Sequence, residues 1–207
     1  MTEVNVRFNG VVVAANSKKA VISTLAEDRN KKTYQTEHHV KLSKGVKLAE
    51  GSYVAITGTL ESDGASNWIE PKTCVLLDEK PSDMNMYAWV EGEAASSFFM
   101  PQGLDEFSEK RPFGVASVKV SDTRRQRGVV FNSLIATMKK NLKAGAVVRL
   151  AGRLQYRKFT TQAGEDREVA EIICNNEYTK VVKLSERANP FAFDGPDESM
   201  AGFGKAE

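Results

Sequence analysis

GAVVRLAGRL, residues 145–154, repeats a frame that the chain has already written once as GSYVAITGTL, residues 51–60. Both read Gly-x-x-Val-x-(Ile/Leu)-x-Gly-x-Leu, offset by 94 residues. Alternate side chains of a β-strand point to opposite faces. In the later copy Val148, Leu150, Gly152, Leu154 and Tyr156 therefore share one face. Val147, Arg149, Ala151, Arg153, Gln155, Arg157 and Phe159 share the other. The first set suits the interior of a closed sheet, and the second is a basic ladder running into an aromatic ring. The same parity in the earlier copy puts Val54, Ile56, Gly58 and Leu60 inside. It leaves Tyr53, Ala55, Thr57, Thr59 and Glu61 outside, with no positive charge among them. One strand is written twice, and only the second copy is armed with arginines.

The surrounding sequence divides in the same way. In the first half, alternation at Val4, Val6 and Phe8 runs through Gly10 into VVVAA. KAVISTLAE, TYQTEHHVKL, the Gly51 frame and WIEPKTCVLLDE complete five expected strands. EKPSDMN, residues 79–85, has linker composition. A second set follows in MYAWVEGEAA, FGVASVKVS, GVVFNSL, the Gly145 frame, and REVAEIIC continuing to YTKVVKL. One helix is expected from Asn132 to Lys143. Leu134, Ile135, Met138 and Leu142 lie along one face, Lys139, Lys140 and Lys143 crowd the last turn, and Gly145 stops it. A helix between the third and fourth strands of a five-stranded barrel is the OB-fold arrangement. The first half offers only LSKGVKLAEG there, which reads as a loop or a single turn. The fold expected is all-β with one short helix, as two tandem OB-fold barrels: residues 1–80, residues 86–184, which carry the basic ladder, and a disordered acidic tail at 185–207.

Composition bounds the chemistry. A chain of 207 residues, 41% hydrophobic and 27% charged, suits an ordinary globular protein, and no apolar run approaches a membrane span. The net charge of +2 hides a strong local bias: Lys119 to Lys158 holds eleven basic residues and one acidic one, Asp122. That concentration is the footprint of a phosphate-binding surface. Cys74 and Cys174 fall one in each half, in apolar runs that suit buried free thiols. His38 and His39 lack a second ligand pair, so a polar strand or loop is expected there, with no metal and no cofactor. No P-loop, paired metal-ligand motif or nucleophile elbow is present, which argues against an enzyme. Glu165, Asp166 and Glu168 read as solvated charge on a hairpin tip.

The run from Leu142 to Cys174 resembles bacterial-type single-stranded DNA-binding proteins. The resemblance rests on Lys143-Ala-Gly145, Gly152-Arg-Leu154, Arg157-Lys158-Phe159, Gln162-Ala-Gly164-Glu-Asp-Arg167 and Glu171-Ile-Ile. It covers roughly thirty residues well and the second half loosely. The family commonly has one OB-fold per chain, assembles as a tetramer and ends in a short acidic tip. This chain reads as two barrels, has Arg125 where the family carries a stacking tryptophan, and ends NPFAFDGPDESMAGFGKAE. A phage or plasmid-borne relative would fit that divergence.

The resemblance implies non-sequence-specific binding and protection of single-stranded DNA in replication, recombination or repair. The bacterial cytoplasm, or an infected host's, is the expected compartment. RNA binding, or a role as an accessory subunit of a replication or nuclease complex, is the alternative. The binding set expected is Arg124, Arg125, Arg127, Phe131, Arg149, Arg153, Arg157, Lys158 and Phe159, with Tyr34 and Trp68 as a second contact. Cations track phosphates, and aromatic rings stack on bases. Phe131 suits core and platform equally, Tyr156 suits core better, and Trp68 suits a platform or an inter-domain plug. The apolar stretch at 96–113, with Phe98, Phe99, Met100, Leu104 and Phe107, reads as an interface within or between chains in preference to a direct base-stacking surface. In the tail, Pro190, Phe191, Phe193 and Asp194 read as a docking peptide for replication or recombination proteins. Homo-oligomerisation stays open.

Overall fold

The computed structural model describes residues 2–27, 31, 33–101, 112–161 and 163–182. The expected tail, with Pro190, Phe191, Phe193 and Asp194, lies outside them, as do Leu104, Phe107 and Gln162. The described chain is mostly β with one short helix. Its strands are β1 (Asn5–Ala15), β2 (Lys19–Glu27), β3 (Thr33–Lys41), β4 (Tyr53–Ser62), β5 (Asn67–Leu77), β6 (Met86–Glu93), β7 (Phe113–Lys119), β8 (Arg125–Phe131), β9 (Val147–Thr160), β10 (Asp166–Cys174) and the short β11 (Lys180–Val181). The helix α1 spans Ser133–Asn141, between β8 and β9. It buries Leu134, Ile135 and Met138, and Lys139 and Lys140 stand in its last turn.

The pairings return on themselves in each half. β1 pairs with β2, β2 with β3, β3 in parallel with β5, β5 with β4, and β4 with β1. The second half repeats the order: β6 with β9, β9 with β10, β10 in parallel with β8, and β8 with β7. An isolated bridge between Ala94 and Val118 brings the end of β6 back to β7. The two rings are not separate bodies on a tether. β1 and β6 pair antiparallel, with Arg7 opposite Tyr87 and Asn5 opposite Trp89, so one sheet runs through both halves. The connection between β5 and β6 is also anchored. Asn9 Nδ2 donates to the Asp83 carbonyl at 3.1 Å, Leu25 N donates to the Met84 carbonyl at 3.1 Å, and Met84 is buried.

The repeated frame has a physical basis at both of its glycines. Gly51 and Gly145 each have φ of +82°, a left-handed turn that a side chain would strain. Their amides make equivalent bonds, Gly51 N to the Val12 carbonyl at 2.9 Å and Gly145 N to the Ala94 carbonyl at 3.0 Å. At Gly58 and Gly152 a Cβ would collide with the facing strand's backbone, the Glu70 carbonyl in one half and the Ile173 carbonyl in the other. Val54, Ile56, Leu60, Val148, Leu150 and Leu154 of the frame fill the core as parity requires. His38 departs from expectation. It is fully buried on β3 beside Val40, because parity carries it inward, while its neighbour His39 is exposed. Both cysteines are free thiols, Cys174 buried and Cys74 half-buried. Among the described residues no helix is long and apolar enough to cross a membrane.

Candidate nucleic-acid interface

The register of the second ring decides which side chains meet. Directly opposed residues share a face, and the odd-numbered residues of β7 to β10 point outward. Arg157 stands opposite Val169, Gln155 opposite Glu171, Arg153 opposite Ile173, and Phe159 opposite Arg167. Glu171 in turn lies beside Arg127, and Arg125 lies opposite Lys119. One outer face thus carries Lys119, Arg125, Arg127, Arg153, Arg157 and Arg167, with Phe113, Phe131 and Phe159 around them. The rings of Phe113 and Phe131 lie 6.2 Å apart, and Phe131 is half-buried. The Arg157 guanidinium lies 5.3 Å from the centre of the Phe159 ring. That is cation–π distance, and it holds a cation and a stacking surface side by side.

One acid sits inside this cluster. Glu171 Oε1 lies 3.5 Å from Arg127 Nη1 and 3.3 Å from Arg157 Nη2, with the Glu171 side chain 6% exposed. The Arg127 and Arg157 side chains are 39% and 45% exposed. A single buried carboxylate thus orients two solvent-facing arginines and leaves the trio with a net charge of +1. Sequence reading took Glu171 only as part of a return strand and passed over Phe113. The pairing of β10 with both β8 and β9 is what makes Glu171 central.

Other expected binding residues are engaged elsewhere. Arg149 sits before Gly152, where β9 pairs with β6, and makes a two-pronged ion pair with Glu91: Nη2 to Oε2 at 2.6 Å and Nε to Oε2 at 2.7 Å. Arg124 ties the halves together, with Nη1 on Glu61 Oε2 at 2.8 Å and Nη2 on the Leu60 carbonyl at 2.5 Å. Lys158 is exposed on the opposite face of the hairpin, across from Glu168. In the first half, Tyr34 lies under the Arg153 guanidinium at 5.1 Å, and Trp68, on β5, lies under Lys41 Nζ at 4.1 Å. Trp68 is half-buried on β5, next to Asn67.

The hairpin of β9 and β10 rests on the first ring. His38 Nδ1 and the Tyr156 hydroxyl are 3.1 Å apart, and His38 Nε2 and Thr24 Oγ1 are 2.9 Å apart. Burial, reinforced by the neighbouring His39, lowers the His38 pKa to about 3, so the ring is neutral. Burial also raises the Tyr156 phenol. Asn67 Nδ2 donates to the Glu168 carbonyl at 3.0 Å, a second strut. Between the halves opens a cleft of about 490 Å³ lined by Asp63, Asn67, Arg124, Arg125, Gln126 and Glu168. Among the described residues no group of His, Cys, Asp and Glu could hold a metal.

An outward row of arginines with aromatic rings between them, on a strand ring carrying a single helix, is the arrangement against which known proteins can be compared. Residues 116–180 match the Single-strand binding protein family. The match covers β8 to β11, α1 and most of β7, and so every element of the outer face. The whole chain also resembles the wild-type single-stranded DNA binding protein from Thermus aquaticus. The TM-score is 0.67 at 13% identity, covering 88% of this chain and 94% of that one. A deletion mutant of the same Thermus aquaticus protein gives a TM-score of 0.60 at 13% identity, with 88% and 95% covered. At that identity the likeness is one of fold, and it extends over both rings. A search of curated protein sequences finds no match.

Proposed function

We infer that this protein binds single-stranded DNA without strong sequence preference, through the outer face of β8, β9 and β10. The observation that carries the reading is the trio Arg127–Glu171–Arg157 beside Phe159. Cations held in place by a buried acid meet phosphates, and an adjacent ring offers a surface to any base, since every base has a π-face. Duplex hides its base faces, so the same site favours single strands. The protein acts as a binding protein that covers single strands during replication, recombination or repair.

In this reading residues 1–80 and 86–184 are tandem OB-fold barrels, which the two strand rings and their shared glycine frame support. Arg125, Arg127, Arg153, Arg157, Phe131 and Phe159 make the DNA contacts. Arg124 and Arg149 serve the architecture, and Tyr34 contributes by supporting Arg153. Residues 185–207 act as the docking tail for replication or recombination proteins. Homo-oligomerisation is supported by Val13, Val75 and Leu76, which stand exposed towards the ends of β1 and β5. The cytoplasm is the compartment that fits such a substrate.

The test is a salt titration on matched single-stranded DNA, duplex and RNA oligomers. Single-stranded DNA should bind tightest, with log affinity falling by about 0.7 per neutralised phosphate for each unit of log salt. Phe159→Ala should weaken binding by about 1–3 kcal/mol without changing the unfolding midpoint. Equal affinity for duplex and single strand would overturn the reading.

A further inference from the structure

We propose that Phe99 is a base-stacking platform that extends the DNA path across the second ring to its far edge. The inference rests on single-stranded DNA being the ligand and adds a contact outside the arginine cluster. Phe99 forms an antiparallel bridge with Val115, each amide donating to the other's carbonyl, at 3.1 Å and 2.7 Å. Bridged residues share a face, so Phe99 points to the same side as Val115, and Val129 lies opposite Val115 on β8. Val129 stands beside Ile173, and Ile173 is opposite Arg153. A single row, Phe99–Val115–Val129–Ile173–Arg153, therefore crosses the outer face from one edge to the other, with Val115 and Val129 buried beneath their neighbours and Phe99 and Arg153 at its accessible ends. With neighbouring strands about 4.8 Å apart, its four steps span about 19 Å.

The adjoining segment shows that Phe99 is outward by construction. Phe98 turns inward and packs so closely on Gly114 that a Cβ there would strike its ring, and Phe98 N donates to the Leu142 carbonyl at 3.3 Å. With its neighbour fixed inside, Phe99 stands 58% exposed, the most exposed large aromatic among the described residues. A lone exposed ring is ordinary, but Phe99 stands on a face that also carries Phe113 and Phe131, and grouped apolar surface of that kind marks a contact site. Two features nominate a nucleobase. The row ends at Arg153 and runs beside Arg127, so a strand lying along it meets cations on its way. Phe113 and Phe131 stand near the same edge, giving bases apolar neighbours instead of competing polar groups.

The experiment uses the full chain and oligo-dT of several lengths. Phe99→Ala should leave the melting temperature unchanged, weaken binding of a long oligomer about 5- to 150-fold, and reduce the number of nucleotides covered. Phe99→Trp should retain binding and add a fluorescence component quenched by DNA, over the background of Trp68 and Trp89. Wild-type affinity and site size in Phe99→Ala, with no DNA-sensitive signal from Phe99→Trp, would overturn the proposal. A change of molecular mass on Phe99→Ala with unaltered DNA binding would also overturn it, assigning the ring to a protein contact. If wild type itself fails to bind oligo-dT, it is the functional reading that falls. If wild type binds, Arg157→Ala weakens it and Phe99→Ala does not, only the role of Phe99 falls.

Discussion

Glu171→Gln should make the protein bind DNA more tightly while making it less stable. The carboxylate lies 3.3 Å behind the Arg157 guanidinium and 3.5 Å behind that of Arg127. A phosphate on the solvent side of Arg157 would then stand about 7 Å from the carboxylate oxygen. At an effective dielectric of about 20 the two negative charges repel by about 2 kcal/mol. Screening over a Debye length of about 10 Å at 0.1 M salt reduces that to about 1 kcal/mol, or fivefold in affinity. Glutamine keeps an acceptor oxygen in place, and both guanidinia are already partly hydrated, so the folded state should lose only about 1 kcal/mol. Fluorescence anisotropy on oligo-dT at several salt concentrations and urea unfolding read the two effects separately. The gain should shrink as salt rises. Weaker binding in the glutamine variant would refute the arithmetic, and would mean that holding two guanidinia in position matters more than the charge that holds them.

Three further outcomes follow from the packing. Arg149→Ala should cost about 1 kcal/mol of stability and leave the salt slope alone, whereas Arg157→Ala should lower the slope by about 0.7; paired DNA titrations and unfolding curves distinguish them. Grafting the ladder onto the first half with Ala55→Arg and Thr59→Arg should destabilise by about 3 kcal/mol or more, since those positions are 1% and 8% exposed; thermal unfolding tests it, and a stable variant with added DNA affinity would contradict it. Stability should also fall in mild acid. The folded His38 titrates near 3 and the unfolded one near 6.5, so the unfolded chain binds the extra proton between those values. At pH 5 this amounts to about 2 kcal/mol lost relative to pH 8, and urea midpoints should show that His38→Gln flattens this pH dependence.

Much of the fold could be read from local pattern. β2 coincides with KAVISTLAE residue for residue, and α1 falls inside the stretch bounded by Asn132 and Lys143, because apolar periodicity and charged ends are local signals. The core parity of the Gly145 frame holds for Val148, Leu150 and Leu154. What parity could not reveal is which strand lies alongside. β9 changes neighbours at Gly152, from β6 to β10, so Arg149 and Arg157 look equivalent along the chain and stand in different company. Arg124 read as a DNA contact, because its partner Glu61 lies 63 residues away. His38 looked polar by residue type, and its partner Tyr156 is 118 residues distant. Phe99 read as an interface because its exposure depends on Phe98 being anchored at Gly114.

The pairing of β1 with β6 has a consequence for how the molecule could become lopsided. If two identical chains made this contact, every substitution would appear on both sides of it, and any arginine added to one copy would be added to the other. Here both partners lie on one polypeptide, joined through residues 78–85, so each half can change alone. Tethering also raises the local concentration of one strand around the other to the millimolar range, about what a short linker supplies, so dilution does not separate them. An asymmetric pair that cannot dissociate can divide its labour. One half can go without an arginine ladder and offer His38 and Asn67 as the rest for a hairpin whose arginines belong to the other.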